Sequence, residues 1–317
     1  MKVLVTEATG FVGRWLTVEL ENEGHDVVAA PPHAALDITQ AGPVREWVAV
    51  GRPDAIVHLA GVSFGPDARR DPEGAFRVNV LGTAVVLDAA RRVPRPPVVL
   101  VTGSSEVYGS PDPGDLPLTE TAPTLPANAY GLSKLAQEAV ALAAARSAGV
   151  PIIVTRSFNH TGPGQRPDFA IPALARGVVA MKRGVEPIIR VGNADVWRDF
   201  LDVRDVVRAY RLLIEEGAAG RLGEAGVVVN VASGRSVAIR SIIQRLCSIA
   251  GCEPRISIDE SLVRADDAPE IRGDASLLGR LTGWAQRIPL GQTLADVLEE
   301  ASSEMPSGRR LDDEGRQ

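Results

Sequence analysis

The chain is poor in cysteine and histidine. Its 317 residues hold two cysteines, Cys247 and Cys252, five apart, with no CxxC spacing and no neighbouring histidine. Such a pair builds neither a zinc site nor a disulfide framework, so a reducing cytoplasm is the expected setting. The four histidines, His25, His33, His58 and His160, are scattered, and no metal centre is expected. Basic excess is missing too: 34 Lys and Arg stand against 40 Asp and Glu, a net charge of -6. That balance removes the electrostatic footprint of a nucleic-acid-binding protein, while leaving room for a locally positive pocket. No apolar run reaches the roughly 20 residues of a membrane span. The opening run "VLV" passes straight into a turn and reads as a strand, not as part of a signal peptide. What remains, 45% hydrophobic and 23% charged, is ordinary for a soluble globular protein. The length suits one large α/β domain or two smaller ones.

Short apolar runs alternate with helical patterns through the first half. "KVLV", "HDVVAA", "DAIVHLA", "PVVLVTG" and "PIIVTRS" predict strands, with helices around residues 11–23, 41–50, 73–92 and 128–148. This alternation predicts an α/β fold, a doubly wound parallel sheet with helices on both faces. The strands read as continuous apolar runs, as befits strands covered on both sides. The second half is less regular. "VEPIIRVG" and "GVVVNVASG" predict strands, and residues 203–216, 236–250 and 290–302 predict helices, broken by Pro- and Gly-rich loops. A smaller mixed α/β C-terminal lobe is expected there. The boundaries expected are 1–160 plus about 200–232 for the main domain and about 161–199 plus 233–302 for the lobe, with 303–317 a flexible tail. The segment "YGLSKLAQEAVALAAARSAG" is apolar or small over most of its circumference, so burial on two sides is expected, with a homodimer the expected assembly.

The stretch "TEATGFVG" joins the first strand to the first helix, as a Rossmann-type dinucleotide-binding unit begins. Gly10, Phe11, Val12 and Gly13 are the cofactor-binding candidates at that turn, since glycine lets the backbone approach a phosphate. Asp37 and Ile38, after the second strand, are candidates for the adenine edge. Leu59 and Ala60, in "HLAG", close the third strand with residues over which a cofactor can pass. Tyr130 and Lys134, four apart on one helix face, form a candidate acid–base pair. A nearby ammonium favours a phenolate, so Lys134 is expected to lower the Tyr130 pKa. The same pair also occurs on ordinary solvated helices. "VTGSSEVYG" shifts the balance, because it delivers hydroxyls and a carboxylate to the carboxyl edge of the sheet.

These residues together resemble the extended short-chain dehydrogenase/reductase superfamily, over roughly residues 1–302. "SFNHTGPGQ" and "VGNADVWRDFLDVRDVVRAY" look most like its GDP-4-dehydro-6-deoxy-D-mannose reductases, which form GDP-D-rhamnose, and next most like GDP-mannose 4,6-dehydratases. The resemblance implies reduction of the 4-keto group of a nucleotide-linked sugar, the nucleotide being GDP, by NADPH or NADH. Tyr130 would be the proton donor, Lys134 its tuning residue and cofactor-ribose ligand, and Ser104 the hydrogen-bond donor to the carbonyl. Asn79 matches a cofactor-side asparagine. Ser105, Asn159, Arg198, Arg264 and Glu270 match substrate-side positions, the arginines suiting a diphosphate, although an arginine in a surface ion pair reads the same way. Glu106 matches the dehydratases' C5 base and also occurs in reductases, so both readings stay open.

Glu7 departs from the pattern, which has glycine there. If the turn requires positive φ, a side chain costs about 1–2 kcal/mol. A carboxylate ~5 Å from a phosphate charge adds about 3 kcal/mol of repulsion at an effective dielectric of about 20. Arg14, one turn on, is placed to pair with Glu7 or with the phosphate and so to offset part of the loss. A non-catalytic sugar-nucleotide-binding homologue that has lost its cofactor therefore remains the reading from a different class. The second strand ends "AAPPH", with neither the acid of an NAD enzyme nor a firm basic residue. His33 tips the expectation slightly towards NADPH over NADH.

Overall fold

The computed structural model describes residues 1–223, 226–263 and 267–304. The first half runs β1 (Lys2–Thr6), α1 (Phe11–Asn22), β2 (Asp26–Ala29), α2 (Ala41–Gly51), β3 (Ala55–His58), α3 (Gly65–Arg70), α4 (Pro72–Phe76), α5 (Thr83–Arg91), β4 (Val98–Thr102), α6 (Ala129–Ala148) and β5 (Ile152–Ser157). There follow β6 (Asn159–Thr161), α7 (Ala170–Lys182), β7 (Ile189–Val191), β8 (Trp197–Asp202), α8 (Val203–Ala218), β9 (Val227–Val231) and β10 (Ser236–Ala238). The described chain ends with α9 (Ile239–Ala250), β11 (Ile256–Ile258), β12 (Glu270–Ile271), α10 (Ser276–Thr282) and α11 (Leu290–Glu304).

Six parallel strands form the central sheet in the order β2-β1-β3-β4-β5-β9. Successive strand residues face opposite ways, so the apolar runs feed two cores at once. Val3, Val5, Val57 and Leu100 pack with Leu16 and Leu20 of α1 and Val206 and Leu213 of α8. Leu4, Ile56, Val99 and Val101 pack on the other face with Val44 and Val48 of α2, Val86 of α5, and Ala141 and Ala145 of α6. All five strands expected in the first half are present. A third core gathers Ile171, Val178, Phe200, Ile242, Leu246 and Leu294 around α7, α9 and α11. Beside it β8 pairs with β6, β10 and β12, and β7 with β11.

The structure differs from the sequence reading in several places. The single helix expected over 73–92 is α4, a π-helical turn over Arg77–Gly82, and α5. The widened turn sits where Gly82 meets Ile38, whose Cδ1 would lie 2.7 Å from a Cβ at that position. Helix α7 and the short strands of the second sheet were not anticipated. Leu278 and Trp284, within the segments expected for the C-terminal lobe, are instead buried in the first core. Of the expected tail, Ser303 and Glu304 end α11, and 305–317 lie outside the described residues.

Candidate active site

Strand β1 has β2 on one side and β3 on the other, and the chain reverses its winding direction between them. In open α/β sheets that reversal opens a crevice beyond the carboxyl ends of the strands. The turn after β1 lies there. Glu7 holds φ at +56°, so the turn does demand the left-handed region. Helix α1 starts at Gly10 with no side-chain cap and no acid in its first turn, leaving its first amides for another acceptor. A Cβ on Gly13 would run into the Glu7 carbonyl oxygen, so glycine there lets helix and turn close up. Phe11 stacks on His160 at 6.4 Å between ring centroids, and Trp15 Nε1 donates to the Pro163 carbonyl at 3.0 Å. The "HTGPGQ" loop thereby rests on the start of α1.

The expected acid–base residues converge at the end of β4. Asn128 caps α6, its Oδ1 accepting from the Gly131 amide at 2.9 Å, and this places Tyr130 in the first turn. Ser104 lies close enough to Tyr130 to lower the pKa of its hydroxyl. Ser104 Oγ accepts from the Glu106 amide at 3.2 Å, and Ser105 is buried in the same 3₁₀ turn. Glu106 Oε2 accepts from Asn128 Nδ2 at 3.1 Å. Lys134 Nζ donates to the Thr102 carbonyl and to Gln137 Oε1, each at 2.9 Å.

Electrostatics reverse one expectation. Burial drives the Tyr130 pKa upward, Ser104 opposes it, and the Glu106 charge reinforces it. Lys134 does not act on the phenol as expected, because its ammonium is turned to Thr102 and Gln137. Burial instead pulls Lys134 down to about 8, against the raising effect of the Glu7 charge. Of the two partners expected for Arg14, Glu7 is not taken: Arg14 Nη2 donates to the Gly164 carbonyl at 3.1 Å.

Beneath the site lies a buried polar chain that the sequence reading missed. Thr83 Oγ1 donates to the Asn79 carbonyl at 2.7 Å and accepts from Gln137 Nε2 at 2.8 Å. With its one proton committed, Thr83 must accept from His58 Nε2, 3.1 Å away. His58 Nδ1 is then the acceptor for Thr6 Oγ1 at 3.0 Å, and Thr6 accepts from the Ala60 amide at 3.0 Å. Burial lowers the His58 pKa to about 3, so the ring stays neutral. Asn79, fully buried, accepts from the Val62 amide at 2.8 Å and donates to Ser133 Oγ at 2.9 Å. It fastens the segment after β3 to α6.

The remaining candidates are more dispersed. Asp37 Oδ1 accepts from the Thr39 amide and hydroxyl at 2.9 and 2.8 Å, which lowers its pKa, and Ile38 is buried. Val12 and Leu59 pack against the first core. Asn159 Nδ2 donates to the Asp199 carbonyl at 3.3 Å. Arg198 is ion-paired with Asp267 and donates to the Ala268 carbonyl at 2.8 Å. Glu270 accepts from Ser236 Oγ at 2.6 Å and lies 3.3 Å from Arg272 Nε. Arg198 and Glu270 sit on adjacent strands, in register one residue apart. Arg264 lies outside the described residues.

The bare Gly10 N-cap, the close-packed Gly13 and the buried Lys134 fit a dinucleotide. One group opposes it. Glu7 Oε2 accepts from the Gly61 amide at 3.3 Å, and its Oε1 would lie 2.9 Å from a Cβ on Gly10.

Comparisons with known proteins agree with this geometry. Residues 3–232 match the model of the NAD dependent epimerase/dehydratase family. The chain is 36% identical over 308 residues to GDP-6-deoxy-D-mannose reductase of Pseudomonas aeruginosa, covering 95% of this chain and 97% of that protein. It is 29% identical over 306 residues to GDP-6-deoxy-D-talose 4-dehydrogenase of Aggregatibacter actinomycetemcomitans, covering 95% and 96%. The structure of RMD from Pseudomonas aeruginosa complexed with NADPH superposes with a TM-score of 0.86 at 36% identity, over 96% of this chain and 99% of that one. The chain belongs to the NAD-dependent epimerase/dehydratase family.

Proposed function

We propose that this protein reduces the 4-keto group of GDP-4-keto-6-deoxy-D-mannose, with NADPH preferred over NADH. The observation that carries the reading is the convergence of Tyr130 and Ser104 at the carboxyl edge of the sheet, with Lys134 one turn along α6. The similarity to a GDP-6-deoxy-D-mannose reductase over nearly the whole chain supports the direction and the substrate. A bound nicotinamide cofactor would supply the hydride. Gly10, Phe11, Val12 and Gly13 would hold its diphosphate, and Lys134 would hold its ribose. Tyr130, kept protonated by burial, gives its proton to the substrate oxygen, and Ser104 orients that oxygen. Arg198 and Glu270, in a lobe of about 161–199 plus 233–302, would line the sugar-nucleotide side together with Asn159 of the main domain. The cytoplasm is the setting we assign.

The test is absorbance at 340 nm with GDP-4-keto-6-deoxy-D-mannose and each cofactor in turn. Oxidation of the cofactor that depends on the sugar and falls by about 10²–10⁴ in Tyr130→Phe supports the reading. Conversion of GDP-mannose with no added reductant would assign Glu106 the base's role in a 4,6-dehydratase and displace it.

A further inference from the structure

Glu7 is the residue that the proposed chemistry does not use. It stands where a cofactor diphosphate would cross the turn, and its backbone is held in a region that L side chains rarely adopt. Its side chain spans two segments, reaching from over Gly10 to the Gly61 amide. Though solvent reaches it, protein crowds it, and this crowding raises its pKa against the opposing Gly61 hydrogen bond and Lys134 charge.

We propose that Glu7 is a built-in competitor for the cofactor's diphosphate, an internal anion that must be protonated or withdrawn before the dinucleotide seats. The inference rests on the cofactor-dependent reading above and adds a determinant of cofactor affinity to it. The carboxylate has the charge of a phosphate oxygen and already takes an amide N–H at the end of β3. It also lies within the field of Lys134, the cation assigned to the cofactor ribose. Two anions within a few ångströms of the same uncapped helix start repel, and a proton on one relieves the conflict.

Of the charged groups around Glu7, Lys134 is the one that titrates beside it, its pKa pulled down to about 8 by burial, and the Glu7→Gln comparison separates the two. From β3, His58 is neutral and bound through both ring nitrogens. From α1, Arg14 is turned to Gly164. From α6, Tyr130 is held neutral by burial, and the Lys134 ammonium is the cation that acts on Glu7. Cofactor binding is therefore expected to take up protons and to tighten as pH falls.

The experiment is calorimetric titration of the full-length protein with NADPH and with NADH. It is run between about pH 6 and 8.5 in buffers of different ionisation enthalpy, so that proton uptake is counted directly. Glu7→Gln removes the charge at nearly constant shape; Glu7→Gly removes charge, bulk and strain. At pH 7.5 both variants are expected to bind at least about tenfold more tightly than the wild type. Glu7→Gln should also lose the wild type's excess proton uptake, a comparison that subtracts the ligand's own titration. Equal affinity and equal proton uptake in wild type and Glu7→Gln would overturn the proposal while leaving the cofactor-dependent reading intact. Tighter binding in Glu7→Gly alone would overturn it by assigning the effect to bulk. No binding of either dinucleotide by the wild type or either variant would overturn both.

Discussion

Lys134 shows how far a residue can be read from sequence and where the reading stops. Its place one turn beyond Tyr130 was visible in "YGLSK", because four residues are one helical turn. Its effect on Tyr130 was not, since the ammonium turns towards a strand end and a glutamine that only folding brings near. Burial sets its pKa at about 8. Above that pH the free enzyme loses the charge proposed to hold the cofactor ribose, so kcat/KM is expected to fall by about tenfold per pH unit beyond pH 8. A pH–rate profile of kcat/KM checks this, and a flat response to pH 9.5 would sink it. The neutral Tyr130 phenol, with its pKa pushed up, makes no competing break in that range. Glu7 was equally legible as a departure, yet its contacts with Gly61 and Lys134 were not, because Gly61 is 54 residues away.

Between elements, the polar chain from β1 through β3 and α5 to α6 holds the site at its base. Thr6, His58, Thr83 and Gln137 come from four separate segments, so no local motif announces them. His58 was noted only as one of four scattered histidines. Its role follows from satisfied hydrogen bonds in a buried space, where each donor needs an acceptor. Because its pKa falls from 6.5 to about 3 on folding, the unfolded chain binds the proton that the native chain refuses. The sign follows: stability is lost as pH drops from about 6.5, and this cost grows until about pH 3. His58→Ala should lower stability by about 2–4 kcal/mol at neutral pH through two lost buried hydrogen bonds and a cavity. The same variant should show a shallower loss of stability between about pH 6 and 4. Urea unfolding of both proteins across that range is the measurement. Equal slopes would remove His58 as the titrating group.

At the scale of the whole molecule, the central sheet was legible because its strands are apolar throughout and separated by helices of ordinary length. The second sheet was not. Its strands run two to six residues and join segments far apart in the chain, as β8 does with β6, β10 and β12. The first half leaves an apolar face uncovered. Leu81, in the π-helical turn, is 48% exposed, and Leu132 on α6 is 48% exposed. Near Leu81, a groove of about 660 Å³ is lined by Phe76, Val80 and Ala84. The small-residue stripe of α6 continues through Ala139 and Ala143, both exposed. An apolar face of this kind is costly in water and is relieved by a like face. We therefore propose a homodimer that brings α4, α5 and α6 of one protomer against the same helices of its partner. Light scattering after size exclusion should give twice the chain mass of 33.5 kDa. Leu81→Glu with Leu132→Glu should shift it to a monomer while the far-UV spectrum stays native, since two carboxylates on each side would have to be desolvated in the seam. A monomeric wild type, or a dimer that survives both glutamates, would place the second copy elsewhere or nowhere.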